Sequence, residues 1–247
     1  MTKQLLRRLK QKVNILTGRK SPVKIEVECK HEWYGNTYGG FYVHPDILSK
    51  DSIVYSFGIG EDISFDKAII QKHDCHLFAF DPTPKSINWI KKQQLPSKFR
   101  FFEYGIDSKS GFVNFNLPKN KNYVSGSVIN HQNVNESDFI LAPMKCLTDI
   151  TNELGHNYID LLKMDIEGSE YEIIESILTS PVQINQILLE RHERFFVDGK
   201  AKTAKLLKTL KDNGYALFAV SHSLEELSFI KIKTSANSTR STNKATQ

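Results

Sequence analysis

Apolar and polar positions alternate along most of this chain with two different periods. Short apolar runs at 53–57, 76–80, 99–104, 159–164, 185–190, 215–220 and 227–232 read as strands. Between them, apolar residues recur every three or four positions at 62–73, 84–94, 146–154, 168–179 and 200–213, which predicts helices. Asp62 and Thr83 stand where helix caps are expected. Pro84 suits a first helical position and Gly214 a helix stop. Strands alternating with helices imply a parallel sheet covered on both faces. The last two strands are joined by SHSLEE, too short for a crossover helix, so they are expected to pair antiparallel. The expected fold class is α/β: a Rossmann-like sheet, mostly parallel, with a C-terminal antiparallel hairpin and helices on both faces. Segment 111–145 breaks the alternation. It opens with the strand-like GFVNFNL and continues through a polar stretch with Ser125-Gly126-Ser127. It reads as an insertion that covers the site.

The two ends differ from the middle. Leu5, Leu6, Leu9, Val13 and Leu16 fall near one helical face, with cations on the other. Residues 1–20 are therefore expected to form a basic amphipathic helix, packed on the domain or a partner, or resting on an anionic membrane surface. Residues 233–247 have almost no apolar content and read as a disordered tail. The domain is then 21–232. The net charge of +5 belongs to the ends: residues 1–20 and 231–247 hold eleven of the 33 basic residues and no acid. The middle keeps 22 basic residues against 28 acids. A core without a basic face is not expected to bind nucleic acid.

No apolar run is long enough to span a bilayer. The start, MTKQLLRRLKQK, lacks the apolar stretch of a secretory signal. Cys29, Cys75 and Cys146 have no CxxC spacing and read as reduced thiols. The expected location is cytoplasmic, with peripheral contact at the inner face of the membrane through residues 1–20.

Two segments carry the cofactor chemistry. IVYSFGIGED (53–62) ends an apolar run in Gly58-x-Gly60, and HLFAFDP (76–82) ends the next in Asp81. That spacing describes one strand–helix–strand unit with a glycine turn under a ligand and a carboxylate placed for a ribose. A dinucleotide fingerprint needs a third glycine, and the position holds Ile63. Glu61 and Asp62 would also repel a pyrophosphate at the following helix N-terminus. S-adenosylmethionine has no phosphate and carries a positive sulfonium and ammonium, which these acids suit. The same acids also serve as ordinary caps, and the two roles are compatible.

A second cluster follows the fourth main strand, in IDLLKMDIEGSEYE (159–172), and the fifth, in LLERHERF (188–195). Asp165, Glu167, Glu190 and His192 are expected to converge on the carboxyl edge of neighbouring strands. Such carboxylates are costly unless they meet a cation, a donor or water.

YSFGIGEDISFD (55–66), FAFDPTPKSI (78–87) and LLKMDIEGSEYEII (161–174) resemble the FkbM-type S-adenosylmethionine-dependent methyltransferases over roughly residues 35–232. The resemblance implies the seven-stranded methyltransferase sheet and O-methyl transfer to hydroxyls of sugars, polyketides and other small products. It also implies a place in bacterial surface-polysaccharide pathways. Carried over by position, Ser56 and Phe57 lead into the turn, and Gly58 and Gly60 line the methionine end. Asp81 with Pro82 holds the ribose. Ile106 and Asp107 lie near the adenine, and Asp165 closes the site beside the methyl. The wider pattern D/E-x-G-x-G-x-G stands here with Ser56 at the acidic position and Asp62 at the third glycine, so Asp62 is the acid that could meet the ammonium.

For the proton of the acceptor hydroxyl the candidates are His192 first, then Glu190 and Glu167. A divalent cation on Asp165, Glu167, Glu190 and His192 would be chemically reasonable, but the spacing is no dedicated metal motif, and no metal is assigned. The acceptor pocket is expected from the 111–145 insertion, the 191–199 loop and TYGGFYVHP (37–45). Tyr38, Phe41, Tyr42, Phe195 and Phe196 either stack on a sugar or simply pack. The alternative functions are a nicotinamide-dependent oxidoreductase and a non-catalytic cofactor-binding adaptor.

Overall fold

The computed structural model describes residues 13–17, 20–119, 126–129 and 134–232. Most of the expected N-terminal helix, the whole C-terminal tail and parts of the insertion lie outside them. Strands β1 (Glu32–Tyr34) and β2 (Phe41–Val43) form a small antiparallel pair. The main alternation follows: β3 (Ile53–Phe57), α1 (Ser64–His73), β4 (His76–Phe80), α2 (Pro84–Ile90) and β5 (Phe99–Phe102). A side unit holds β6 (Gly105–Ile106), β7 (Gly111–Pro118) and β8 (Val134–Lys145). The alternation then resumes with α3 (Leu147–Leu154), β9 (Tyr158–Met164), α4 (Glu170–Leu178), β10 (Gln183–Glu190) and α5 (Gly199–Asp212). It ends in β11 (Tyr215–Val220) and β12 (Glu226–Lys231).

Seven strands make the main sheet, in the order β11-β12-β10-β9-β3-β4-β5. Only β12 runs against its neighbours, pairing antiparallel with both β10 and β11. The strand order reverses between β3 and β9, which pair in parallel. That is the switch point, and the crevice beyond their carboxyl ends is where such sheets bind ligands.

Period-two alternation divides the core into two layers. Tyr55, Phe57, Phe80, Leu162 and Met164 face one layer. Val54, Leu77, Ala79, Leu161 and Leu188 face the other. Both layers are dry because helices cover both faces. Near the carboxyl edge, Phe80 stacks between Phe57 (centroids 4.4 Å apart) and Phe102 (5.1 Å). This stack fixes the floor on which the crevice stands.

Segment 111–145 is a side unit. Its strands β7 and β8 pair antiparallel, and Ser127 bridges back to Asn116. β6 joins it to the end of β5 through a parallel pairing with β8. No helix among the described residues is long and apolar enough to cross a membrane.

Phe80→Ala should destabilise the protein by about 3–5 kcal/mol, because it removes a fully buried ring from the stack. Urea unfolding would measure it. A loss below about 1 kcal/mol would mean that the site floor is not close-packed.

Candidate active site

The glycine turn after β3 is held from three directions. Gly58 N–H donates to the Phe80 carbonyl (3.0 Å), and Asp165 N–H donates to the Phe57 carbonyl (3.1 Å). Lys163, only 6 % exposed, donates from Nζ to the Gly58 carbonyl at 2.7 Å. Gly58 has φ +73°, and a Cβ there would come within 1.7 Å of the Asp165 carbonyl oxygen. Glycine is required at this point. Gly60 also has positive φ, but nothing lies within 4 Å of its would-be Cβ, so space is open over the second half of the turn.

Asp81 closes the turn from the side. It is 4 % exposed. Its Oδ2 accepts from Gly60 N–H (3.0 Å), and its Oδ1 accepts from Thr83 N–H (2.9 Å) and Thr83 Oγ1 (2.6 Å). Burial pushes its carboxyl above the usual range against the pull of these donors. The Ser86 hydroxyl adds to these donors, so the carboxylate is held firmly at the strand end beside the glycine turn.

Asp62 serves locally. Its Oδ1 accepts from Ser64 N–H at the start of α1 (2.8 Å), and its Oδ2 accepts from Asn36 Nδ2 (2.6 Å) and Ser64 Oγ (3.2 Å). It therefore meets the first N–H of α1 from the residue before the Ile63 N-cap and anchors the 36–39 loop, whose peptides Tyr38 and Gly39 donate to Asn36 Oδ1.

Several expected contacts take a different form. Ser56 is fully buried, with its hydroxyl below the turn rather than in the crevice. Strand alternation turns it inward beside Lys163, its register partner on β9, and above the buried Asp66. Phe57 and Ile106 are core side chains. At Phe57 the backbone carbonyl is what reaches the strand end. Pro82 packs against Gly105. Asp107 is half-buried after β6, accepting from Ser108 N–H (2.5 Å).

The second group meets as the spacing implies. His192 is 1 % exposed. Its Nδ1 lies 3.0 Å from Glu170 Oε1, which also accepts from His192 N–H (3.1 Å). Glu170 is fully buried and accepts from Gly168 N–H through Oε2 (3.0 Å). Nε2 then points the other way. Glu167 Oε2 stands 3.4 Å from it, Glu190 Oε1 3.6 Å and Asp165 Oδ1 3.7 Å.

Burial pulls the imidazole pKa down, but Glu170, Glu190 and Glu167 outweigh it and push it up to about 10. The surrounding carboxylates thus favour positive charge at this point of the site. Burial and the Asp165 charge push Glu190 well above the ordinary carboxylate range. Glu167 sits in the left-handed region (φ +53°), and its carbonyl accepts from the buried Ser127 Oγ (2.9 Å). The insertion therefore touches the site at Glu167.

The turn behind His192 is rigid for a visible reason. Arg191, 1 % exposed, donates from Nε to the Leu224 carbonyl (2.6 Å) and from Nη2 to the Ser21 carbonyl (2.8 Å). Among the expected aromatics, Tyr38 stands at the mouth. Partial desolvation and the charges of Glu190, Asp165 and Glu167 raise its phenol pKa. Phe41 is buried in the core, Tyr42 packs on Trp33, Phe195 lies against His192, and Phe196 lies on Tyr171.

Lys163, Glu170 and Ser127 were not foreseen. The signal for Lys163 is a lone cation in a buried apolar run. Glu170 was read only as a helix start, and nothing local marks Ser127.

The crevice fits S-adenosylmethionine, the cofactor that the sequence resemblance implies. It has open space over Gly60, a firmly held carboxylate in Asp81 beside the turn, and further carboxylates beyond it that suit a positive sulfonium and ammonium. Gly58→Ala should cost more than about 3 kcal/mol, since positive φ and backbone overlap add. Gly60→Ala should cost only about 1–2 kcal/mol, for φ alone. Chemical denaturation of the two variants would separate them, and equal losses would refute the contact with Asp165.

Residues 53–217 match the methyltransferase FkbM domain. The chain is 27 % identical over 198 residues to the probable methyltransferase-like protein 24 of Homo sapiens, covering 76 % of this chain and 47 % of that protein. It is 24 % identical over 186 residues to the 2-O-methyltransferase NoeI of Sinorhizobium fredii (strain NBRC 101917 / NGR234), covering 68 % and 76 %. The chain thus spans about half the length of the human relative. Among solved structures, the Methanococcus jannaschii fibrillarin pre-rRNA processing protein is similar at a TM-score of 0.46 and 12 % identity, over 86 % of this chain and 87 % of that one. The domain match takes in the glycine turn, Asp81 and the whole acid–histidine cluster, and the chain belongs to the FkbM methyltransferase family, with S-adenosylmethionine as its cofactor.

Proposed function

We propose that this protein methylates a hydroxyl oxygen of a small molecule or sugar. The observation that carries the reading is the convergence of Asp165, Glu167, Glu190 and His192 at the strand ends beside the Gly58 turn. An alcohol does not lose its proton readily at neutral pH, so a site for hydroxyls needs a proton acceptor. The name of NoeI, a 2-O-methyltransferase, supports an oxygen acceptor. A sugar is an acceptor class that the sequence resemblance implies. Surface-polysaccharide synthesis is the setting that this class suits.

When bound, the cofactor supplies an electrophilic methyl carbon, which leaves sulfur as the lone pair of the acceptor oxygen bonds to it. The residues of the chain have three tasks. The Gly58–Gly60 turn and Asp81 fix the cofactor, with Asp107 beside the adenine. The acid cluster orients the acceptor oxygen, and alignment is the largest expected term. A carboxylate then takes the hydroxyl proton. We assign this to Glu167. It is 20 % exposed, so a substrate can reach it, whereas the His192 imidazole is closed off. His192, set by Glu170, orients the neighbouring carboxylates.

Calorimetric titration with S-adenosylhomocysteine tests the cofactor site. Wild type should bind in the micromolar range, and Asp81→Asn should weaken binding at least tenfold while the fold, followed by circular dichroism, is kept. Unchanged affinity would place the ribose elsewhere. Transfer of labelled methyl from S-adenosylmethionine to a panel of sugars and other hydroxyl compounds tests the activity. Labelling of amines alone would overturn the oxygen acceptor.

A further inference from the structure

His192, Asp165 and Glu190 surround one point at the carboxyl edge. Each offers one ligand atom, and the three atoms lie within 4.8 Å of one another. The separations of 3.6 and 3.7 Å from Nε2 to the carboxylate oxygens are too long for sound hydrogen bonds. They suit donors that share a cation. Two ligands about 2.1–2.3 Å from a metal, at tetrahedral to octahedral angles, stand roughly 3.0–3.8 Å apart.

Two observations set this cluster apart from an ordinary acidic surface. Asp165 Oδ1 is shut off from solvent and has no hydrogen-bond partner. His192 is 1 % exposed and its Nδ1 is committed to Glu170, so Nε2 is aimed at the carboxylates. A carboxylate behind a histidine is the usual second partner of a metal-bound imidazole. It fixes the tautomer and turns the other nitrogen toward the ion.

We propose that Asp165, Glu190 and His192 bind one divalent cation, with Glu170 orienting the imidazole. Two carboxylates and one imidazole suit Mn²⁺ better than Mg²⁺, which prefers an all-oxygen shell. The cation would offset the repulsion between Asp165 and Glu190, which share a partly buried edge. The remaining coordination positions face the crevice and are open to water or an acceptor oxygen. What the cation does there rests on the methyl-transfer reading: a hydroxyl bound to it becomes more acidic and is held in line. Its proton passes to Glu167, which is not one of the three ligands.

The test is titration of the metal-stripped full chain with MnCl₂, with free Mn²⁺ read by electron paramagnetic resonance. S-adenosylhomocysteine binding is measured on the same protein by calorimetry. One Mn²⁺ per chain is expected, with affinity at least tenfold weaker in Glu190→Gln and in Asp165→Asn. If Glu190→Gln fails to fold by circular dichroism, Asp165→Asn carries the test, because that side chain is 28 % exposed. No Mn²⁺ binding with or without S-adenosylhomocysteine, or equal binding by the variants, overturns the cation site. Mn²⁺ binding without S-adenosylhomocysteine binding keeps the cation site and removes the methyl-transfer reading. The opposite pattern keeps that reading and removes the cation.

Discussion

Gly58 and the Asp165 carbonyl lie so close that no side chain fits between them. This contact joins the two halves of the site. On the proposed reading, the turn after β3 lies on the cofactor side, and the turn after β9, which carries Asp165 and Glu167, lies on the acceptor side. Hydrogen bonds from Asp165 N–H to Phe57 and from Lys163 Nζ to Gly58 fix the same seam. Parallel pairing of β3 with β9 alone would align the strands but leave their ends free to diverge. With the seam closed, a shift of one turn moves the other, and a donor and an acceptor held there keep their relative position. Positioning at the level of about 1 Å matters greatly to reactions of this kind.

The same seam concentrates charge. Lys163 stands below the turn facing the buried Asp66. Glu170 stands behind His192, and three carboxylates stand in front of it. Buried ionic groups are tolerated when partners meet them and are costly when they do not. Glu170 is fully met, with three donors from the backbone and the imidazole. Asp165 is not, and Glu190 is met only at long range. The contrast within one cluster is between a carboxylate satisfied behind His192 and carboxylates in front of it that the protein leaves less well met.

Much of this was legible in the sequence. The runs 53–57, 76–80 and 215–220 coincide with β3, β4 and β11 because strands buried on both faces are short and mostly apolar. The Gly58, Asp81 and acid–histidine positions were legible because strand ends sit at fixed places in such a sheet. The β1–β2 pair was not, since two three-residue strands leave no period to detect. Strand β8 was not either: its polar residues and Pro143 run against a strand pattern. At the site, the direction of a side chain was harder to read than its position. Ser56 lies where expected along the chain but points inward, and His192, two residues past the end of β10, turns its Nδ1 back onto the buried Glu170. Glu170 escaped because its role depends on the 165–169 turn folding back onto the residues after β10.

The proposed acceptor side is built from parts outside the sheet alternation. The 36–39 loop is tied to Asp62 and brings Tyr38 to the mouth. The insertion reaches Glu167 through Ser127. The turn after β10 is pinned by Arg191 to Ser21 and Leu224. The first two meet the site through few contacts, whereas the turn after β10 is tied into it through His192. On the proposed reading, the loops that frame the acid cluster select the acceptor, and the cluster supplies what a hydroxyl acceptor needs, groups that hold its oxygen and take its proton.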